Sequence, residues 1–207
     1  MPEKLTLNDL SEVTRKWHWY SMKVEKDGET VEIDDYLTDE LTDAATAFID
    51  QQAEAENPFF LYLAYNAPHA PLQATEKYLS RFSDIEDIRR RTYAAMVSCV
   101  DDGVGRVMKT LSKQGILENT IVVFLSDNGG AITKNASNNG PLRGAKSDLY
   151  EGGIRVPFAM QWVGTIPANL TYTEPVISLD ILSTIAAITE VEISPARPLD
   201  GVNLIPY

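Results

Sequence analysis

Two short stretches of this 207-residue chain concentrate groups able to do chemistry. The apolar run Ile121 to Leu125 stops abruptly at Ser126-Asp127-Asn128-Gly129-Gly130. Asp127 offers a carboxylate and Asn128 an amide oxygen, hard donors suited to Ca²⁺ or Mg²⁺. The two glycines let the backbone turn sharply beside them. Sixteen residues after Ser126 begins a second stretch, LRGAKSDLYEGGIRVP, which sets Lys146 between Gly144 and Gly152-Gly153. A fixed ammonium close to a metal would help to bind a doubly charged oxyanion. His69, bracketed by two prolines in NAPHAP, could act as a general acid or hold an oxyanion. Together these groups point to hydrolysis of an oxyanion ester.

Each group also has a plainer reading. Asp-Asn-Gly is a common turn, and a calcium site needs about six to eight oxygens, so the pair alone does not make one. A single lysine is usually solvated, and Arg143, Glu151 and Arg155 could form a structural ion-pair network around it. A lone histidine is more often held by a backbone hydrogen bond. His69 rises above that reading because it follows an apolar run. His18, in Trp17-His18-Trp19-Tyr20, has no such support: that cluster reads as a hydrophobic patch, with sugar or aryl stacking as the weaker option. Cys99 shares helical spacing with Met96, Val97 and Val100 and reads as core. Asp101-Asp102-Gly103 falls in mid-helix, where carboxylates face solvent or cap a neighbouring turn.

The elements that must position these groups follow from periodicity. KDGET, Lys26 to Thr30, reads as a hairpin turn, with Asp-Gly supplying positive φ. From Thr38 the pattern is helical: Leu37, Leu41, Ala44, Ala45 and Phe48 recur at helix spacing, Asp39 and Glu40 suit the positive end of the dipole, and Asn57-Pro58 ends the element. Pro58 to Tyr65, PFFLYLAY, is apolar on both faces and predicts a covered central strand. A long helix follows, with Tyr93, Met96, Val97, Val100, Val104, Val107 and Leu111 at spacings of three or four, closed by Gln114-Gly115. Thr120 to Leu125 predicts a second buried strand. Strand, helix, strand implies a parallel pair with a right-handed crossover. His69 and Asp127/Asn128 would then lie past two strand ends on one sheet edge, where open α/β sheets place ligands. A third strand is predicted at Arg155 to Trp162 and a closing helix from Leu179 to Ile188.

Length and a 44% hydrophobic content allow one domain, or most of a larger one. The net charge of −12 argues against nonspecific nucleic-acid binding and against anionic membranes. Residues 1–57 carry 15 acids and 5 bases, so the excess belongs to the N-terminal segment rather than to the candidate site. One cysteine excludes an intrachain disulfide. No apolar stretch is long enough to span a membrane, and MPEKLTLNDL lacks the basic and apolar features of a secretory signal. The sequons at Asn135 and Asn169 carry no weight, since such patterns arise often by chance.

PFFLYLAYNAPHAPLQ, VDDGVGRVMKTL, TIVVFLSDNGG and LRGAKSDLYEGGIRVP, followed by VISLDILSTIAAI and LDGVNLIP, together resemble the sulfatase family of the alkaline phosphatase superfamily. The resemblance runs from about Leu37 to Tyr207, in order and with fitting spacing. It implies an α/β fold, a mostly parallel sheet sandwiched by helices, here incomplete. The irregular, hairpin-bearing segment 1–36 would lie on the substrate side, and 37–207 would be the partial catalytic domain. The resemblance implies that Asp127 and Asn128 are metal ligands, usually for Ca²⁺. It implies that His69 contacts the sulfate ester and assists the leaving oxygen, and that Lys146 binds the sulfate group. In the family a formylglycine hydrate attacks sulfur, the alcohol leaves, and the sulfated intermediate collapses to release sulfate. The substrate would be a carbohydrate or aryl sulfate ester. Family members are mostly periplasmic, secreted or lysosomal; the sequence itself leaves the location open.

The departure from the family pattern is large. The N-terminal Asp-Asp metal pair and the Cys-x-Pro-Ser-Arg type motif that yields formylglycine do not occur here, and Ser194-Pro195-Ala196-Arg197 has the wrong spacing. The chain therefore reads as the middle-to-late part of a sulfatase, inactive or nearly so alone. It would form oligomers or associate with a missing N-terminal part. A phosphoester or phosphonate hydrolase of the same superfamily is the alternative enzyme. It is disfavoured because only two histidines occur, where two-metal sites use several. A degenerate binding module is the third reading, supported by the absent nucleophile.

Overall fold

The computed structural model describes residues 24–31, 33 and 35–205; the aromatic cluster at 17–20 and His18 lie outside them. The chain divides into two compact units after Met160.

The first unit opens with a hairpin. Strands β1 (Val24–Lys26) and β2 (Glu29–Val31) pair antiparallel, with Val24 opposite Val31. Asp27 and Gly28 both take positive φ, 55° and 85°, which is the backbone a tight two-residue turn demands. Helix α1 (Leu37–Ala53) then packs against the long helix α3 (Ile88–Lys113). The buried stripe of α1 is Thr38, Thr42, Ala45 and Ile49, rather than the leucines of the predicted face. Thr42 makes this possible by satisfying its hydroxyl internally, donating to the Thr38 carbonyl at 2.9 Å and meeting Tyr65 Oη at 2.8 Å. Gly103 of α3 provides the clearance. A Cβ there would lie 2.5 Å from Tyr65 Oη and 2.7 Å from Thr42 Oγ1.

Between these helices, α2 (Glu76–Leu79) seats Tyr78 and Leu79 in the core with Tyr36, Leu72, Met96 and Cys99. Tyr78 donates its hydroxyl proton to Asp39 of α1 at 2.6 Å, tying the two helices together. Cys99 is 1% exposed, as a core cysteine should be, and burial pushes its thiol up to about 11. Asp102 does face outward, where Arg81 grips it with two hydrogen bonds of 2.9 and 2.7 Å. Helix α3 starts where Asp87 accepts from the amides of Arg89 and Arg90, both at 2.9 Å, and stops at Gly115 with φ 70°.

The predicted central strand over Pro58 to Tyr65 takes a different form. The segment has no regular secondary structure, makes no backbone hydrogen bond to another described residue, and so joins no sheet. One face packs on α1, through an edge-on contact of Phe59 with Phe48 at 5.6 Å and the Tyr65–Thr42 contact. The other face is bare: Phe60 is 81% and Tyr62 79% exposed. A strand is defined by its ladder, and none of the described residues supplies one here. The pairing of this segment with the next strand across the long helix is therefore not formed. Strand β3 (Val122–Leu125) pairs instead with β4 (Phe158–Gln161), which lies inside the predicted third strand.

In the second unit, α5 spans Leu179–Ile188, the predicted limits. It buries Asp180, Thr184 and Ala186, and leaves Leu179 and Leu182 largely exposed. Asp180 accepts from the amides of Ile177 and Val202, and Thr184 from that of Leu204, so polar groups seat the segment Val202 to Leu204 on the helix. No helix among the described residues is long and apolar enough to cross a membrane.

Candidate functional site

Strand β3 ends at Leu125, and the chain turns at once. The Ser126 amide donates to the Pro157 carbonyl at 3.2 Å, which extends the β3–β4 contact by one step. Ser126 Oγ donates to the Asn128 carbonyl at 3.1 Å and closes the bend. Asp127 is thereby carried to the surface, with no hydrogen bond or ion pair to another described residue. Asn128 is half-buried. Its Nδ2 donates to the Gly129 carbonyl at 3.0 Å, and its Oδ1 accepts no hydrogen bond from another described residue. Two hard oxygen donors, adjacent in sequence, are thus uncommitted among the described residues.

The second stretch folds over this bend. The Gly129 amide donates to the Gly153 carbonyl at 2.9 Å, and the Gly152 amide to the Arg143 carbonyl at 2.7 Å. These contacts are possible only for glycine. A Cβ on Gly129, Gly152 or Gly153 would lie 1.8, 2.2 or 2.2 Å from a backbone carbonyl oxygen of the facing loop. The short helix α4 (Glu151–Ile154) carries the double glycine. The Lys146 amide donates to the Gly130 carbonyl at 3.1 Å, so the lysine stands directly beside the Asp127–Gly130 bend. Lys146 is half-buried and its ammonium makes no ion pair among the described residues. The alternative ion-pair network does not include it: Arg155 pairs with Glu151 on the surface at 2.9 Å, and Arg143 stacks 3.8 Å over Tyr150.

His69 stands apart. It sits in an exposed loop after the unpaired segment 58–65, and no hydrogen bond links it to Asp127, Asn128 or Lys146. Its Nδ1 lies 2.6 Å from the Ala70 carbonyl. A carbonyl can only accept, so Nδ1 holds a proton and Nε2 is left to take or give the second one. The structure thus ties the Lys146 backbone to the bend that carries Asp127 and Asn128, and shows no hydrogen bond from that bend to His69 among the described residues.

Asp127 and Asn128 fit a hard cation in donor type and in having no competing partner for those oxygens among the described residues, yet they supply only part of a shell. Among the described residues no group of three or more His, Cys, Asp or Glu is arranged to hold a metal. Any remaining ligands would have to come from elsewhere.

Other residues that build the site left little trace in the sequence. Asn139 touches both stretches: its Oδ1 accepts from the Gly130 amide at 2.9 Å, and its Nδ2 lies 2.9 Å from the Gly130 carbonyl and 3.1 Å from that of Gly144. Arg89 and Arg90, at the start of α3, hold the intervening loop by donating to the carbonyls of Thr133, Lys134 and Ala136. Asn135 is buried and accepts from the Ser137 amide, a structural use of that sequon asparagine. The turn signal Asn139-Gly140-Pro141 was the available hint, but it does not reveal what the side chain holds.

A sequence model of the family described as Sulfatase matches residues 6–191. The chain is 36% identical over 193 residues to the uncharacterized sulfatase YdeN of Escherichia coli (strain K12), covering 92% of this chain and 34% of that protein. Human (Homo sapiens) N-acetylgalactosamine-6-sulfatase is 32% identical over 173 residues, covering 82% and 32%. Among solved structures, Ps i-CgsB in complex with k-i-k-neocarrahexaose superposes with a TM-score of 0.86 at 42% identity, over 89% of this chain and 41% of that one. The PsFucS1 sulfatase from Pseudoalteromonas sp. gives 0.72 at 30% identity, over 81% and 33%. The chain spans about a third of the length of the curated relatives it matches.

Proposed function

The chain belongs to the sulfatase family, and from that premise we propose that it carries one wall of a sulfuric ester hydrolase site. The observation that carries this reading is the junction of the two glycine-rich stretches. It pins the backbone of Lys146 to Gly130, two residues beyond Asn128, and among the described residues the Lys146 ammonium has no ion pair and the Asp127 carboxylate no partner.

In this reading Asp127 and Asn128 are ligands of a divalent cation, Ca²⁺ by family habit with Mg²⁺ as the alternative. When bound, that cation would neutralise negative charge on the ester group. Lys146 would bind the sulfate oxygens. Its backbone is pinned to Gly130, which fixes where its side chain starts, and its charge would act where water is partly excluded. His69 would donate a proton from Nε2 to the leaving oxygen, with Nδ1 kept protonated by the Ala70 carbonyl. The attacking group is a formylglycine hydrate in the family. The motif that furnishes it does not occur in these 207 residues, so the chain alone would turn over little or nothing.

The exposed face of segment 58–65 is where further sulfatase sequence, or another polypeptide, would dock. The substrate class proposed is a sulfated carbohydrate. It is supported by the hexaose bound in one similar structure and by the N-acetylgalactosamine in the name of a relative. An aryl sulfate is the convenient surrogate.

The test is a side-by-side assay of 4-nitrophenyl sulfate and 4-nitrophenyl phosphate. The chain is fused behind the nucleophile-bearing N-terminal segment of a sulfatase relative. Sulfate turnover by the fusion, absent in the 207-residue chain, is expected. A fusion that prefers the phosphate ester points to the phosphoester hydrolase reading instead. Turnover by the unfused chain that Lys146→Ala abolishes would refute the claim that it lacks its nucleophile.

A further inference from the structure

We propose that Asn139 is a positioning residue: its side-chain amide locks the Asp127–Gly130 bend to the Arg143–Lys146 bend and so fixes the distance between the metal donors and the sulfate-binding lysine. The proposal rests on the sulfatase reading for the meaning of those two groups, but its physical basis does not.

The side chain of Asn139 behaves like a strand inserted between two loops. Its Oδ1 accepts from the Gly130 amide at 2.9 Å, while its Nδ2 lies 2.9 Å from the Gly130 carbonyl and 3.1 Å from the Gly144 carbonyl. Gly130 therefore has both backbone polar groups engaged by one side chain. The same Gly130 carbonyl also accepts from the Lys146 amide at 3.1 Å. The path from the ligand pair to the lysine thus runs through an oxygen that Asn139 holds. Space at this point is tight. A Cβ on Gly130 would lie 2.2 Å from Ser137 Oγ and 3.0 Å from Asn139 Oδ1, so the bend packs directly on the side chains of Ser137 and Asn139 and has no room for a side chain of its own.

The rest of the loop anchors Asn139 in turn. Ser137 Oγ accepts from the Ile132 amide at 2.9 Å, and Arg89 and Arg90 hold the carbonyls of Thr133, Lys134 and Ala136. Asn is the residue type required: only a planar amide presents an acceptor and a two-proton donor on one short stem. An aspartate would keep the acceptor for the Gly130 amide but turn a second negative oxygen toward two carbonyls.

The test is amide hydrogen exchange by NMR on the full 207-residue chain. In Asn139→Ala, the amides of Gly130 and Lys146 should exchange at least roughly tenfold faster, with that of Cys99 in mid-α3 unchanged. In Asn139→Asp, Gly130 should keep its protection and Lys146 should lose it. That split would not arise from general loosening, and it decides the matter even where the alanine variant is poorly folded. Lys146 protection unchanged in both variants, or lost only in step with Cys99, overturns the proposal. A Lys146 side-chain resonance that ignores inorganic sulfate in the unaltered chain counts against the sulfatase reading alone, because the exchange pattern judges Asn139 separately.

Discussion

Gly129 and Gly152 meet backbone against backbone: a methyl group on Gly129 would sit 1.8 Å from the Gly152 carbonyl oxygen. The contact joins the bend after β3 to the double glycine of α4. Neither side can yield by turning a side chain. Gly129→Ala is therefore expected to cost about 1–3 kcal/mol or more, the range for forced overpacking. Urea unfolding of the chain would measure it. Gly105→Ala serves as the control, because nothing lies within 4 Å of its added methyl and it sits in mid-helix, where alanine is favoured.

Gly103 gives a second packing test, at the contact of two helices. Its added Cβ would press on Tyr65 Oη at 2.5 Å and Thr42 Oγ1 at 2.7 Å, at the crossing of α1 and α3. Gly103→Ala should lower the midpoint of thermal unfolding and cost about 1–3 kcal/mol. Adding Tyr65→Phe should recover part of that loss, because the offending oxygen is then gone. A double variant no better than the single one would place the strain elsewhere.

Cys99 supplies a pH test with a definite sign. Burial raises its thiol to about 11, above the ordinary range of about 8.5. A folded-state value above the unfolded one means that the protonated thiol favours the fold. That stability is fully present below the unfolded value and is lost as pH rises through the folded one. Stability should therefore decline between about pH 8.5 and 11, and Cys99→Ser should alter that slope. An aromatic disulfide reagent should label the thiol only as fast as the chain opens. Rapid labelling at pH 8 in the folded chain would contradict the buried placement.

The sequence revealed the local elements more fully than their pairing. Asp27-Gly28 fixed the hairpin turn because only residues tolerant of positive φ fit there. Gln114-Gly115 fixed the end of α3, and the limits of α5 followed from its apolar spacing. The strand expected over Pro58 to Tyr65 has no pairing partner among the described residues. Residues apolar on both faces announce burial on both, but cannot say which segment supplies the neighbours. None of the described residues does, and Phe60 and Tyr62 stand exposed. The buried face of α1 was misjudged for a related reason: Thr38 and Thr42 look polar in a sequence, yet Thr42 finds its hydrogen-bond partners within the fold.

At the site, the two stretches announced themselves by residue type, and Lys146 does stand beside the Asp127–Gly130 bend. The clamp formed by Asn139 was not legible. A side chain that bonds three backbone groups looks, in sequence, like any asparagine before a glycine.

The central claim is that Lys146, held on Gly130, binds the sulfate group at the site shared with Asp127 and Asn128. The most direct measurement is kcat/KM for 4-nitrophenyl sulfate with Lys146→Ala, made in the fusion to a nucleophile-bearing sulfatase segment. A lost charge contact to the reacting group should reduce it by roughly 10²–10³, as removal of one preorganised donor does in other enzymes. The thermal midpoint should stay unchanged, because the ammonium makes no ion pair among the described residues. A loss smaller than about threefold at equal stability would contradict the account, since uniform surface charge effects are of that size.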